Sequence, residues 1–406
     1  MDRRTLLKLI AAASLADIGN PVLAARELRV VVAGAGIVGA SIAYHLAKAG
    51  ASVTVVDQEG PATHASRGTF AWINATWAKQ PRYYHSLNQD SLSNWHSLQQ
   101  DLGIPVKWGG SLEWFDNDAR QARLKQQIAE QVTWGEDARM VAAAELASLE
   151  PGVDFGNVQQ AAFSTNDGAV DPVLATQILL AAAKELGAQV RYPCKLTGVE
   201  MSFGRLEAVT TDQGPVTADK LVLATGAEPD MATRLADIEI PQRSTPGVIA
   251  ITAPLPPLIN RIVVAPGIHM HQRVDGRMVL GEQGGAPQNT AHEQRLQGRP
   301  NAFPSRELAL EHAARILAVA KQFVPAISTA VIEDVYIGWR PLPLDGHPVL
   351  GASPARPDVY LAIMHSGVSL APIVGQLAAR EIIAGETIAR LDSYRPDRKF
   401  ERVKRY

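Results

Sequence analysis

Three glycines at Gly34, Gly36 and Gly39 stand in the order Gly-x-Gly-x-x-Gly, and Asp57 follows 23 residues after Gly34. Each residue type has a mechanical use. Gly34 permits a tight turn, Gly36 lets backbone approach a pyrophosphate, and Gly39 lets a helix pack closely on a strand. Asp57 can accept hydrogen bonds from ribose hydroxyls, and the helix start beyond the glycines faces the phosphates. This is dinucleotide chemistry, and the spacing leaves NAD and FAD both open. A second group, His269, His271 and Arg273, alternates along the chain and therefore shares one face of a strand. These three are polar contacts for a substrate if that face lines a cavity, and solvated side chains if it does not. No three ligands stand at metal-binding spacing, so no metal is expected.

The elements that must hold these residues are legible around them. Leu28 to Ala33 reads as a buried parallel strand, followed by a helix through Ala49 that Gly50 stops, and Ser52 to Val56 reads as the next strand. Tyr44 and His45 lie inside that helix and read as packing residues. Leu174 to Leu186 forms an amphipathic helix with Gly187 as its stop. Leu221 to Ala227 reads as a strand that ends in a turn at Thr225 and Gly226. Ile268 to Val274 and Arg277 to Gly281 flank Asp275-Gly276, which predicts a two-residue hairpin. Val359 to Ala362 leads through His365, Ser366, Gly367 and Val368 into a helix reaching about Ala384.

Composition bounds the rest. A chain of 406 residues with 46% hydrophobic and 20% charged side chains can build two or three cored domains. The net charge of −2 argues against nucleic acid as a main partner. No apolar run reaches the ~18–20 residues of a permanent membrane span. The single cysteine, Cys194, excludes an intrachain disulfide and any multi-cysteine cluster. Asp2 to Lys8, with Arg3 and Arg4 ahead of a short apolar stretch, resembles a twin-arginine export signal. Residues 1–27 are therefore expected to direct the folded protein to the periplasm; an amphipathic helix on a cytoplasmic protein is the alternative. Residues 392–406 are rich in basic side chains and read as a solvated tail, with peripheral contact to a membrane or electron acceptor as the other use.

Further motifs join the glycine fingerprint: Asn166-Asp167-Gly168-Ala169-Val170-Asp171-Pro172, Gly338-Trp339-Arg340-Pro341, Asp345-Gly346-His347-Pro348 and His365-Ser366-Gly367. From about Leu28 to Ala384 this set resembles the FAD-dependent D-amino-acid oxidase family, which includes glycine oxidase, sarcosine oxidase and bacterial D-amino-acid dehydrogenases. The resemblance implies an α/β fold, α+β overall: a Rossmann-like FAD-binding domain interleaved with a substrate domain on an antiparallel sheet. Residues 28–84, 158–229 and 331–391 would form the first, and 85–157 and 230–330 the second. The tryptophans between Trp72 and Trp134 read mostly as packing.

By position in the family, FAD would be held by Gly34, Gly36, Ile37, Val38, Gly39, Asp57, Gln58, Ala65, Ser66, Arg67, Gly68, Leu196, Thr225, Gly226, Gly338, Arg340, His365, Ser366, Gly367 and Val368. Arg67 would neutralise phosphate charge, Ser66 would donate a hydrogen bond, and the amides after Ser366 would face the charge of reduced flavin. Arg340 would bind the substrate carboxylate, with a structural pair to Asp345 as the alternative. Some relatives attach FAD through a histidine near His64, but their surrounding tryptophan motif is missing here, and Cys194 falls in an expected strand elsewhere. FAD is therefore expected to be noncovalent. The reaction implied is oxidation of the C–N bond of an amino acid or secondary amine by hydride transfer to flavin N5, without a dedicated side-chain base. The imine then hydrolyses, and electrons pass to oxygen or a quinone-like acceptor. An NAD-dependent dehydrogenase and a non-catalytic flavin-containing binding or assembly protein are the rival readings.

Overall fold

The computed structural model describes residues 27–402 apart from 77–78, 229 and 284–297, so the expected export signal lies outside the described residues. Val30 and Val32 face one core and Val31 and Ala33 another, because their strand is covered on both sides. That strand is β1 (Arg29–Ala33), at the centre of a six-stranded sheet. Beside it run β2 (Ser52–Val56) and β9 (Gln189–Arg191) on one side. On the other lie β13 (Lys220–Leu223), β20 (Val359–Ile363) and the antiparallel edge β19 (Val349–Ala352). The helices α1 (Ile37–Lys48), α5 (Pro172–Glu185) and α8 (Gly367–Ala384) cover one face. The small antiparallel sheet β10 (Leu196–Ser202), β11 (Arg205–Thr211) and β12 (Gly214–Thr217) covers the other, with α6 (Asp230–Ala236) beside it. Asp171 caps α5 by accepting from the amides of Val173 and Leu174, and Pro172 stands in its first turn. By length and composition α8 could cross a membrane, yet most of it is buried in this core.

The second body is an eight-stranded sheet in the order β18-β14-β17-β16-β15-β5-β7-β6. Its strands are β5 (Ser111–Glu113), β6 (Ala138–Ala142), β7 (Gln160–Ser164), β14 (Gln242–Pro254), β15 (Ile262–Ala265), β16 (Ile268–Gln272), β17 (Arg277–Glu282) and β18 (Ile332–Pro343). Ile268, Met270, Met278 and Leu280 point to α7 (Arg306–Phe323) and form one core with it. The opposite residues line up in register across six strands: Tyr336, Ile249, Gly281, His269, Val264 and Glu113. That face is turned toward the first body. A third small sheet, β3 (Trp72–Ile73), β4 (Val106–Trp108) and β8 (Gly168–Val170), joins the two. Two further helices, α3 (Asp118–Thr133) and α4 (Ala143–Leu149), pack on β6 and β7.

Three expectations need correction. The helix α2 (Arg82–Leu102) falls within the range expected for the substrate domain, but Leu87, Trp95 and Leu98 belong to the first core and α2 packs on α8. Conversely β7 and β18 belong to the eight-stranded sheet, because β18 pairs with β14 from Pro343 to Ile332. The hairpin between β16 and β17 closes through Val274, Asp275 and Gly276, with Arg273 and Arg277 paired across it. Gly276 at φ +86 supplies the left-handed residue of that longer turn.

Candidate functional site

The glycine loop at the end of β1 is shaped by atoms that leave no room for a side chain. A Cβ on Gly34 would lie 2.4 Å from the Ala224 carbonyl oxygen, and one on Gly39 would lie 2.0 Å from that of Gly34. Gly36 differs: a Cβ there would meet only the Ser66 hydroxyl, at 3.2 Å. The space above Gly36 is the part of the loop open to a ligand. Asp57 organises this loop, accepting from Ala35 N–H at 2.7 Å and from Glu59 and Gly60 N–H at 2.9 Å each. Its one remaining lone pair, on Oδ2, still suits a ribose hydroxyl, while the adjoining Gln58 is exposed. Leu196 is a core residue between the two sheets of the first body. Cys194 is buried in the link between β9 and β10, outside any strand.

Residues 64–68 take roles that differ from those expected. Ser66 accepts from Ile37 N–H at 3.0 Å, so it caps the start of α1 rather than acting only as a donor. Arg67 donates to the Thr63 carbonyl and lies 4.8 Å over the Tyr336 ring, on the substrate sheet rather than over the glycine loop. His64 is exposed and pairs with Glu59 at 3.0 Å. Gly68 and Gly338 meet back to back, since a Cβ on either would fall within about 2.5 Å of the other's backbone. That contact locks Ala65 to Gly68 against β18.

A second helix start lies beside the first. A Cβ on Gly367 would be 3.1 Å from Val38 Cγ2, so α8 and α1 begin side by side beyond the strands β20 and β1. Between them the chain leaves β13 through Thr225 and Gly226, the latter at φ +63. Ser366 precedes α8 at φ +60, and its hydroxyl caps none of the helix amides. Instead it accepts from Lys79 Nζ at 3.1 Å and lies 3.1 Å from His365 Nδ1. Lys79 is only 5% exposed and its ammonium lies 5.5 Å over the Tyr84 ring. The donor set therefore consists of two adjacent helix starts, an open glycine and a buried ammonium. It suits a ligand with a diphosphate and a ring that takes on negative charge when reduced, which is the chemistry of FAD.

Across from this cradle, alternation does bring His269, His271 and Arg273 to the face turned inward, but their neighbours give them different work. His271 is 2% exposed, its Nε2 lies 2.9 Å from the Phe70 carbonyl, and burial pushes its pKa down to about 3. Arg273 donates to the capping Asp171 at 2.9 Å and so ties the sheet to α5. His271 is thereby held against segment 68–72, and Arg273 against the start of α5. His269 stands edge-on to Phe70 at 4.2 Å, and burial lowers its pKa to about 3. Arg340 lies close enough to add to that effect. Two strand glycines make room for this pair. A Cβ on Gly281 would be 2.2 Å from His269 Nε2, and one on Gly247 would be 2.4 Å from Arg340 Nη2.

Arg340 also donates to the Pro246 carbonyl at 3.4 Å. Asp345 is taken by Arg398, which reaches both its oxygens at 2.8 and 3.0 Å. Arg395 likewise grips both oxygens of Glu381 at 2.9 and 2.7 Å. The basic tail is thus folded back at Arg395 and Arg398 rather than solvated, because two buried carboxylates need those charges. The motif Asn166 to Pro172 also carries a structural carboxylate. Asp167 is fully buried and its Oδ2 accepts from Ser111 at 2.6 Å, Trp72 at 3.0 Å and Thr76 at 3.3 Å. Burial raises its pKa to about 7. It anchors the segment that carries Phe70 and Lys79. Of the residues missed, Gly247 and Gly281 had a signal, since an isolated glycine in a strand marks close approach.

Known proteins place this arrangement. The model of a family described as FAD dependent oxidoreductase (DAO) matches residues 29–381. Glycine oxidase from Bacillus licheniformis is 24% identical over 381 residues, covering 91% of this chain and 97% of its own. The bifunctional protein ThiO/ThiG of Synechocystis is 28% identical over 240 residues, 57% of this chain; the match spans 33% of that longer protein. Among solved structures, L-proline dehydrogenase from P. horikoshii has the same fold, with a TM-score of 0.78 at 23% identity, covering 91% of this chain and 97% of that one.

Proposed function

The chain belongs to the DAO family of FAD-dependent oxidoreductases, and on that premise we propose that it oxidises the C–N bond of an amino acid or a carboxylate-bearing secondary amine. One observation carries this reading: Arg340 and His269 stand together over glycine-made space on the sheet face opposite the two helix starts. Gly34, Gly36, Gly39, Asp57, Ser66, Thr225, Gly226, Ser366, Gly367 and Val368 are positioned to hold the cofactor. Bound FAD supplies the acceptor for two electrons and the hydrogen on the carbon next to nitrogen.

Arg340 offers a planar fork that can bind both oxygens of a substrate carboxylate, fixing the adjacent carbon in the cavity. His269, neutral because it is buried, can hydrogen-bond the substrate amine without adding positive charge beside Arg340. Phe70 keeps that side of the cavity apolar and limits water. The imine product takes up water to give an oxo acid or aldehyde plus ammonia or amine. An anaerobic screen of amino acids and amines tests this: at least one carboxylate-bearing amine should bleach the flavin band. A holoprotein that stays oxidised with all of them would overturn the reading.

We further propose that FAD is noncovalent, that the protein is exported by the twin-arginine route, and that its electrons pass to a quinone-like acceptor in preference to oxygen. Exposure of His64 in its pair with Glu59, and burial of Cys194 elsewhere, support the first. Acid precipitation should release all the yellow colour, and colour kept in the pellet would refute it. Arg3 and Arg4 ahead of a short apolar stretch support the second. Changing both to lysine should leave active enzyme in the cytoplasm, and an unchanged periplasmic fraction would refute export. Export supports the third, because a periplasmic holoenzyme can meet a membrane quinone pool. Oxygen consumption as fast as quinone reduction would refute it.

A further inference from the structure

Lys79 holds a charge where charge is costly. Its ammonium is buried, donates to Ser366 Oγ at 3.1 Å, and approaches the start of α8, which is itself a positive end of a helix dipole. The ammonium and the helix start thus meet at one spot, and both favour negative charge that develops beside it. Ser366 strengthens the point. In the cap position a serine hydroxyl ordinarily accepts from the helix amides, but here it is turned to Lys79 and His365, so those amides are not quenched by their own cap. Ser366 itself has a left-handed backbone, at φ +60.

We propose that Lys79, acting through Ser366, sets the reduction potential of the bound flavin by stabilising its reduced, negatively charged form. The inference rests on the proposed FAD site. Two electrons and one proton convert the neutral oxidised ring to an anion, and no other group changes its oxidation state. Because Lys79 reaches the ring through Ser366, it is a positioning residue for charge, and it binds no substrate atom.

The test uses purified holoprotein and the variants Lys79→Met, Lys79→Gln and Lys79→Arg. Sulfite adds to oxidised flavin and leaves it negatively charged, so its affinity reports the same electrostatics without turnover. Lys79→Met should bind sulfite at least tenfold more weakly. Its midpoint potential, titrated with dithionite against a reference dye, should fall correspondingly, by about 30 mV for each tenfold change in a two-electron equilibrium. Lys79→Gln keeps a donor for Ser366 without the charge and should behave like Lys79→Met, which also covers loss of fold in the apolar variant. Lys79→Arg should stay near the parent value. A parent-like midpoint and sulfite affinity in Lys79→Gln would overturn the proposal while leaving the FAD site intact. A parent protein that takes up no flavin would instead overturn the site reading itself.

Discussion

The cofactor cradle and the substrate face are built from different materials. The cradle is made largely of backbone: the packed glycines Gly34 and Gly39, the open Gly36, and two helix starts brought side by side, with the Lys79 ammonium next to the second. The face opposite is made of side chains, and there the same residue types end in unlike roles. His269 packs edge-on to the Phe70 ring near Arg340, while His271, two residues on, hydrogen-bonds the Phe70 carbonyl. Arg340 lies over Gly247, while Arg273 on the same face braces the cap of α5. A backbone site depends on where residues are missing, and a side-chain site depends on which neighbours claim each group first.

The sharpest way to break this contrast is within the cradle. Gly39→Ala pushes a Cβ to 2.0 Å from a carbonyl oxygen and should cost about 3 kcal/mol, with flavin content falling close to zero. Gly36→Ala meets only a hydroxyl at 3.2 Å and starts from a φ of −71 that alanine adopts freely. It should melt near the parent and lose affinity for flavin alone. Equal loss of fold in both would refute the division of labour between the glycines.

On the other side of the comparison, Arg340→Lys should keep flavin and lose about 30-fold in kcat/KM on carboxylate substrates, or about 2 kcal/mol. Amines without a carboxylate should be far less affected. Unchanged kcat/KM on a carboxylate substrate would remove Arg340 from the substrate's binding set.

Buried titrating groups separate the regions by pH. Asp167 has its pKa raised from 3.8 to about 7, so the fold holds a proton that the unfolded chain releases. Its contribution to stability is therefore greatest below pH 4 and declines as pH rises to 7. His271 has its pKa lowered from 6.5 to about 3, so its contribution is present above pH 6.5 and is lost as pH falls. Measured against the parent, Asp167→Asn should gain ground as pH rises from 4 to 7, by up to about 1.4 kcal/mol per pH unit. His271→Asn should gain ground as pH falls from 6 to 4. Parallel pH curves for parent and variants would show that neither group is perturbed.

The smallest effect belongs to Arg273. Arg273→Met should lower stability by about 1–2 kcal/mol, because Asp171 stays partly solvated, and should leave kcat/KM within twofold of the parent. A large loss of kcat/KM confined to carboxylate substrates would return Arg273 to the cavity.

Where local backbone geometry decides, the chain is readable. The cap at Asp171 and the αL stop of α8 at Gly385 each depend on neighbours a few residues away. Sequence by itself thus determined the Rossmann-like fold and the alternation that puts His269, His271 and Arg273 on one face. Tertiary structure alone decided what each of those three touches, because Phe70 arrives from another body to pack edge-on against His269 and His271, and Asp171 takes Arg273. It also decided that Asp345 pairs with Arg398 and that Lys79 reaches Ser366, contacts between residues far apart in the chain. A backbone preference is a property of short-range sterics, whereas the partner of a charged or hydrogen-bonding side chain is settled by whichever group the folded chain brings within about 3 Å.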